Sequence, residues 1–214
     1  MTLRPRLITV AIALTLAASP SFSAPQAATA TEKQICFEAE TPTAPDEDYI
    51  ASCTAVIRKA GGNARVVSHA FHNRALVYHR MAQYEQSVDD LDHAISLDAE
   101  DAGAWNDRCF DNAVLRRLEE ALVDCRKALA LSPENAIAWN SLGFTRLIQG
   151  NDDAALGAYN RAVKLAAELP CALFGRGIAK RRKGDEDGGD ADIAAAKSLL
   201  PEVAEIFARF GISP

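Results

Sequence analysis

The chain has 214 residues, and its 29 acidic side chains outnumber its 23 lysines and arginines, which gives a net charge of −6 at pH 7. This acidic balance, without a basic stripe, argues against nucleic acid and anionic lipid surfaces as partners, because both are polyanions. The length suits one domain with a continuous core.

The first 23 residues are predicted to be a secretory signal peptide. Arg4 and Arg6 precede an apolar run at 7–18, and small residues follow Pro20. The run is too short for stable membrane insertion, which needs about 20 apolar residues. We therefore expect cleavage near Ser23, or a few residues later, and export to the periplasm. Loss of the two arginines leaves a mature net charge of −8.

Residues 24–45 are expected to form a flexible lead, because Pro42 and Pro45 oppose helix formation. Acidic residues at 46–48 then favour a helix N-terminus. Apolar residues recur on one helical face until two glycines at 61 and 62 end the helix. We interpret residues 46–63 as an N-terminal half-repeat made of a single helix.

A pattern of 34 residues recurs along the rest of the chain. In the stretch 102–135, Trp105 stands at position 4 and Pro133 at position 32, with small residues at positions 8, 20 and 27. A fixed period of this length predicts a solenoid of stacked helix pairs. An apolar stripe at 202–211 predicts a helix that caps its C-terminal end. The repeats run over 68–101, 102–135, 136–169 and 170–201.

These residue types at this spacing resemble the tetratricopeptide repeat (TPR). The resemblance implies an all-α fold, namely a right-handed α-solenoid of helix-turn-helix repeats with a C-terminal capping helix. It also implies a platform for protein or peptide partners. The last repeat is similar to that of small exported TPR proteins of Gram-negative bacteria.

Two positions of the repeat vary together. Position 7 is Arg in three repeats and Leu142 in the third, while position 23 is Asp in the same three and Ala158 in the third. The helices of a repeat run antiparallel about a turn near position 16, so these positions lie level. We predict structural ion pairs, since Arg and Asp suit bidentate bonding; the alternative is that these arginines bind a ligand carboxylate. The predicted pairs are Arg74–Asp90, Arg108–Asp124 and Arg176–Asp192.

The five cysteines are predicted to form two disulfides and to leave one free thiol. Cys109 and Cys125 occupy positions 8 and 24 of one repeat, so they face each other, and an exported chain permits disulfides. Cys36 can reach Cys53, and Cys171 is then left over. The alternative for all five is a small buried apolar side chain.

The resemblance also implies a partner-binding groove lined by the first helix of each repeat. Two asparagines one repeat apart can hold a peptide backbone through their amide groups, and aromatic residues between them favour a partly apolar segment. The alternative is that the terminal helix, or a second copy of the chain, fills this apolar strip. The lining departs from the carboxylate-clamp pattern of chaperone-binding members. The groove residues are His72, Asn106, Phe110, Asn140, Phe144, Ile178 and Arg181.

No catalytic motif of the GxSxG, HExxH or phosphate-loop type occurs. His69 and His72 share a helical face but lack further ligands nearby in sequence. We therefore expect no enzymatic activity, no cofactor and no metal. The expected function is a scaffold or adaptor for protein–protein interaction, and the alternative is a self-associating structural solenoid of an envelope assembly.

Overall fold

The computed structural model describes residues 28–37 and 44–214, and all regular structure in these ranges is helical. The predicted signal peptide lies outside the described residues. The helices are α1 (Ala30–Phe37), α2 (Asp46–Lys59), α3 (Ala64–Arg80), α4 (Tyr84–Leu97), α5 (Ala102–Val114), α6 (Leu118–Leu131), α7 (Ala136–Ile148), α8 (Asp152–Leu165), α9 (Pro170–Arg182), α10 (Glu186–Leu199) and α11 (Val203–Arg209).

From α3 onward the helices pack as consecutive pairs: α3 with α4, α5 with α6, α7 with α8, and α9 with α10. The first helix of each pair also contacts the first helix of the next pair. Within the described ranges, the second helices α4, α6, α8 and α10 make no such contacts with each other. The first helices therefore form the inner, concave layer of an all-α solenoid, and the second helices form the outer layer.

The same local bonds start successive repeats. The Asp101 carboxylate accepts hydrogen bonds from the first backbone N–H groups of α5, which would otherwise lack partners. Trp105 donates its indole N–H to the carbonyl of Ala99, at 2.9 Å, and so ties the helix to the preceding loop. The next repeat uses Asn135, Trp139 and Pro133 in the same three roles.

Each turn inside a repeat passes through a left-handed residue at position 15. Gly150 and Gly184 adopt φ angles of 77° and 88° there, which glycine permits without steric cost. Ala82 and Arg116 occupy the same position with φ angles of 57° and 62°. A side chain in this conformation costs about 1 kcal/mol, so the first two repeats tolerate some backbone strain at their turns.

Large and small residues alternate between neighbouring helices of the core. Tyr159 is fully buried, and a Cβ atom added to Gly143 would lie only 2.8 Å from its ring. The glycine therefore makes room for the tyrosine at the centre of the third repeat. The largest continuous core joins the last three repeats to α11, whereas smaller clusters lie under the first repeat and under α1 and α2.

Helix α1 lies within the lead expected over 24–45, and residues 30–37 of that segment therefore form a helix. Thr29 and Glu32 form reciprocal bonds, in which each backbone N–H donates to the other side chain at 2.8 and 3.1 Å. This capping box satisfies N–H groups that a short helix would leave unpaired. Lys59 of α2 then holds Glu32 at 3.0 Å. The half-repeat helix α2 is thus packed against a short partner helix instead of standing alone.

Candidate functional site: the concave face

The apolar strip on the concave face is covered by the chain's own C-terminal helix. Phe110 and Phe144 stack with ring centroids 4.8 Å apart, and Phe210 meets both rings edge-on at 5.8 and 5.4 Å. Phe207 packs against Phe144 at 5.9 Å and against Phe174 at 4.9 Å. Helix α11 therefore caps the inner surface of three repeats and not only the last one.

Three of the expected groove residues do not offer a free surface on the concave face. Phe144 and Ile178 are buried, at 3% and 0% exposure, so neither offers a free surface to a partner. Arg181 lies beside α10, where its Nη1 is 3.1 Å from Asp190 Oδ1, and not at the end of the apolar strip. Of the alternatives that the sequence leaves open for the apolar strip, the structure has the one in which the terminal helix fills it.

The uncovered part of the concave face contains a cavity of about 190 Å³ between α3, α5 and α7. Phe110 and the half-exposed Ile137 supply its apolar walls. Its polar lining comes from His79, Asn106, Asp107, Asn140 and Ser141. Four of the expected groove residues, His72, Asn106, Phe110 and Asn140, thus lie at this cavity or next to it.

Two amide oxygens at this cavity lack hydrogen-bond partners although both are buried: Asn106 Oδ1 and Asn140 Oδ1. The orientation of the Asn106 amide is fixed because its Nδ2 donates to Asp107 Oδ1 at 3.1 Å. Asn106 is only 7% exposed. A buried polar atom without a partner is costly and is typical of a surface that a ligand completes.

A histidine between two carboxylates borders the cavity. His72 lies 2.9 Å from Asp101 through Nδ1 and 2.9 Å from Asp107 through Nε2. Burial disfavours the charged ring, but the bonds with Asp101 and Asp107 outweigh burial and raise the pKa of His72 from 6.5 to about 9. At neutral pH the ring is therefore protonated, and both nitrogens donate.

The same interaction acts on Asp101. Burial alone would raise the pKa of this carboxyl group, but the bond from His72 lowers it from 3.8 to about 2. A second pair, His79 Nδ1 with Asp111 Oδ1 at 2.6 Å, lies further along the same helices. Burial disfavours the charged form of His79, yet the Asp111 carboxylate raises its pKa overall.

Sequence reasoning identified the histidines and asparagines of this region but missed Asp107 and Asp111. Their side chains meet the histidines of the preceding repeat, 35 and 32 residues away. A search for acids about one period beyond each histidine would have found them. That search requires the solenoid register first, because only stacking of neighbouring repeats brings these residues together.

The arginine and cysteine pairs lie within single repeats, away from the cavity. Arg74 bonds Asp90 through two nitrogens at 2.7 Å each, and the same fork joins Arg108 to Asp124 and Arg176 to Asp192. These arginines are therefore engaged in structural pairs, not turned toward a ligand. Disulfides join Cys36 to Cys53 and Cys109 to Cys125, with Cα atoms 4.7 and 5.2 Å apart.

Cys171 is the unpaired cysteine of the described residues. It lines a small apolar cavity of about 70 Å³ between α11 and the aromatic strip. Burial raises the pKa of its thiol, which makes the reactive thiolate scarcer at neutral pH.

Among the described residues, no helix is both long enough and apolar enough to cross a membrane.

Comparison with known proteins identifies the repeat itself. Two family models described as tetratricopeptide repeat match residues 68–101 and 125–157. No curated protein sequence matches the chain. The match over 68–101 covers most of α3 and all of α4, and the match over 125–157 runs from within α6 through α7 into α8.

Several solved structures share the fold at low sequence identity. MamA from Desulfovibrio magneticus RS-1 superposes with a TM-score of 0.65 at 16% identity, covering 80% of this chain and 93% of that one. TTC0263 from Thermus thermophilus, a thermophilic TPR protein, gives 0.62 at 15% identity over 78% and 89%. The first TPR of Spaghetti (RPAP3), bound to an HSP90 peptide, gives 0.52 at 17% identity over 55% and 93%.

Proposed function

The chain is a tetratricopeptide-repeat protein, and on that premise we propose that it is a non-catalytic scaffold that binds a segment of a protein partner. The binding surface is the open part of the concave face, at the cavity between α3, α5 and α7. The observation that carries the proposal is the pair of buried, unpartnered amide oxygens of Asn106 and Asn140.

These two oxygens suit the backbone of an extended segment. They stand one repeat apart on successive inner helices, and each can accept one N–H group from the ligand. Ile137, which is 48% exposed, and Phe110 supply apolar contact beside them. A segment that is partly apolar and contributes backbone N–H groups is therefore the ligand that these residues suit best.

One structural neighbour, the first TPR of Spaghetti (RPAP3), was solved with a bound peptide, which supports a peptide as the class of ligand. The partner proposed here differs from that peptide, SRMEEVD. The open cavity presents the Asp107 carboxylate and two amide oxygens, and these do not attract an acidic segment.

The proposed working compartment is oxidising, and the periplasm is the specific proposal. Two cysteine pairs at disulfide distance support it, because disulfides persist in such compartments. The signal-like sequence at 1–23 supports export on separate grounds.

The test is capture of partners from a periplasmic extract by the mature protein and by three variants. Ile137→Glu and Asn140→Ala alter the concave face, and both are expected to reduce capture at least tenfold. Val123→Glu places the same charge on a side chain of α6 that is 57% exposed and belongs to the convex face, so it serves as the matched control.

Circular dichroism verifies that each variant keeps its helices. Equal capture by Ile137→Glu, Asn140→Ala and the unaltered protein would contradict the proposed surface. Phe144 is unsuitable for this test, since it is buried under α11 and a charge there would disturb the fold.

A further inference from the structure

The free hydrogen-bonding capacity of the concave cavity consists of acceptors. Asn106 Oδ1 and Asn140 Oδ1 have no partner, and the neighbouring Asp107 carboxylate is already the acceptor for Asn106 and His72. Two donors of the region are already bonded: Asn106 Nδ2 to Asp107, and His79 Nδ1 to Asp111. An occupant that contributes donors satisfies the two free amide oxygens.

The net charge around the cavity points the same way. Three carboxylates, Asp101, Asp107 and Asp111, face two imidazole rings, His72 and His79. Even with both rings protonated, the cluster therefore carries one negative charge. The Asn106 side chain, 7% exposed and with no partner for its oxygen, lies beside this acidic cluster and bonds Asp107.

The shape of the cavity selects among donors. Phe110 and Ile137 supply the apolar part of the lining, next to the polar side chains of Asn106, Asp107 and Asn140. A lysine side chain has the matching construction, with an apolar stem and an ammonium group that donates three bonds and accepts none. The guanidinium group of arginine is likewise donor-only.

We propose that this cavity receives one lysine or arginine side chain of the bound segment, with the cation at the oxygens of Asn106, Asn140 and Asp107. This inference rests on the proposed function, because it names the side chain of the bound segment that the cavity recognises. Each amide oxygen has two lone pairs, so it can accept one bond from the cation and one from a backbone N–H group of the segment. The basic side chain gives specificity, whereas the backbone contacts are independent of sequence.

The experiment uses three blocked amino acids as probes: the Nα-acetyl N-methylamides of lysine, arginine and norleucine. Norleucine has the stem of lysine without the ammonium group. Each probe is titrated into the mature, isotope-labelled protein, and the side-chain amide signals of Asn106 and Asn140 are followed by NMR. The lysine or arginine probe is expected to shift both signals at millimolar concentration, with an affinity at least tenfold above that of norleucine.

Two variants test the site, and one serves as control. Asp107→Asn and Asn140→Leu are each expected to weaken binding of the cationic probe about fivefold or more. Asp92→Asn removes a carboxylate from the convex face, where it contacts Arg108, and is expected to leave the affinity unchanged. Asp107 also holds His72, so a loss of binding in Asp107→Asn could come from a disturbed fold. Asn140→Leu leaves that contact intact and therefore tests the site independently.

Equal binding of norleucine and lysine, or no response of the Asn106 and Asn140 signals to either cation, overturns the inference. If the probes fail while Ile137→Glu still abolishes partner capture, the inference is wrong and the scaffold proposal stands. If the cationic probe binds while partner capture is insensitive to Ile137→Glu and Asn140→Ala, the scaffold proposal is wrong instead.

Discussion

The arginine–aspartate pairs are the clearest case in which single residues determine local stability. In the first repeat, Asp90 is 4% exposed, and both of its oxygens accept bonds from Arg74. The third repeat shows that the pair can be absent, because it has Leu142 and Ala158 at the same positions. The chain thus contains its own apolar replacement for the ion pair.

We predict that Arg74→Leu alone destabilises the protein by about 3 kcal/mol, since it leaves the Asp90 carboxylate buried without a cation. The double variant Arg74→Leu with Asp90→Ala copies the third repeat, and it is expected to recover most of that loss. Urea unfolding of both single variants and the double variant measures the coupling. Additive losses would show that the two side chains do not act as a pair.

A second residue-scale prediction concerns pH. The folded-state pKa of His72, about 9, lies above its ordinary value of 6.5. Its stabilisation is therefore fully present below pH 6.5 and is lost as the pH rises through 9. The bond that lowers the pKa of Asp101 is present above pH 3.8 and is lost toward pH 2. Together they stabilise the fold most strongly between about pH 4 and 6.5.

The melting temperature is expected to fall between pH 6.5 and 9.5, with up to about 3 kcal/mol of stability lost. His72→Gln is expected to flatten this dependence. His69→Gln, at an exposed position of the same helix, serves as control and should keep the slope of the unaltered protein. A His72→Gln variant with an unchanged slope would contradict the assignment.

At the scale of helices, α11 is the element whose placement matters most. Phe207 is 3% exposed and anchors it between Phe144 and Phe174. Phe207→Ala is expected to cost about 3 kcal/mol of stability and to loosen the cover over Cys171. Thiol modification of Cys171 under native conditions should then accelerate, which a chromogenic disulfide reagent measures.

Glu205→Ala alters an exposed position of the same helix and provides the control. It should leave the modification rate of Cys171 unchanged. Equal rates in Phe207→Ala and the unaltered protein would mean that α11 does not shield the thiol.

Contacts within an antiparallel helix pair can be predicted from sequence because they depend only on positions within one repeat. Once the 34-residue period is known, positions 7 and 23 lie level, and so do positions 8 and 24. The structure has Arg74 bonded to Asp90, and Cys109 to Cys125, at these positions. The N-terminus of α1 also has a local signal, because Thr29 and Glu32 have the spacing of a capping box. The prolines after it favour a loop and oppose that signal.

The position of α11 could not be predicted in the same way. Its apolar stripe shows that it packs on other helices, and the sequence leaves open two arrangements, in which it covers only the last repeat or also fills the apolar strip. The structure has the second arrangement, since Phe210 reaches Phe110, 100 residues earlier. No periodicity encodes that contact, because it depends on the curvature that brings the inner helices together. Asp107 and Asp111 were missed for a different reason, because the spacing of about one period that pairs them with His72 and His79 has meaning only once the repeat register is known.

For the whole molecule, the two disulfides are expected to set its tolerance to reduction. Denatured, unreduced protein should give one free thiol per chain, from Cys171, and a Cys171→Ser variant should give none. Reduction is expected to lower the unfolding free energy by about 3 kcal/mol for each bond, because each closes a loop of similar length. Five free thiols in the unreduced protein would contradict both pairings.

One hydrogen bond gives this solenoid a cooperativity that its repeats alone would lack. Arg116, in the turn between α5 and α6, donates from Nη2 to the carbonyl of Phe210 at 2.8 Å, across 94 residues. In an open solenoid each repeat contacts only its neighbours, so the array can unzip from either end. Here the C-terminus returns to the second repeat, and residues 102–212 are closed into one unit. The aromatic strip thus stays uncovered until α11 has been synthesised, and the docking of α11, not the addition of each repeat, closes the core.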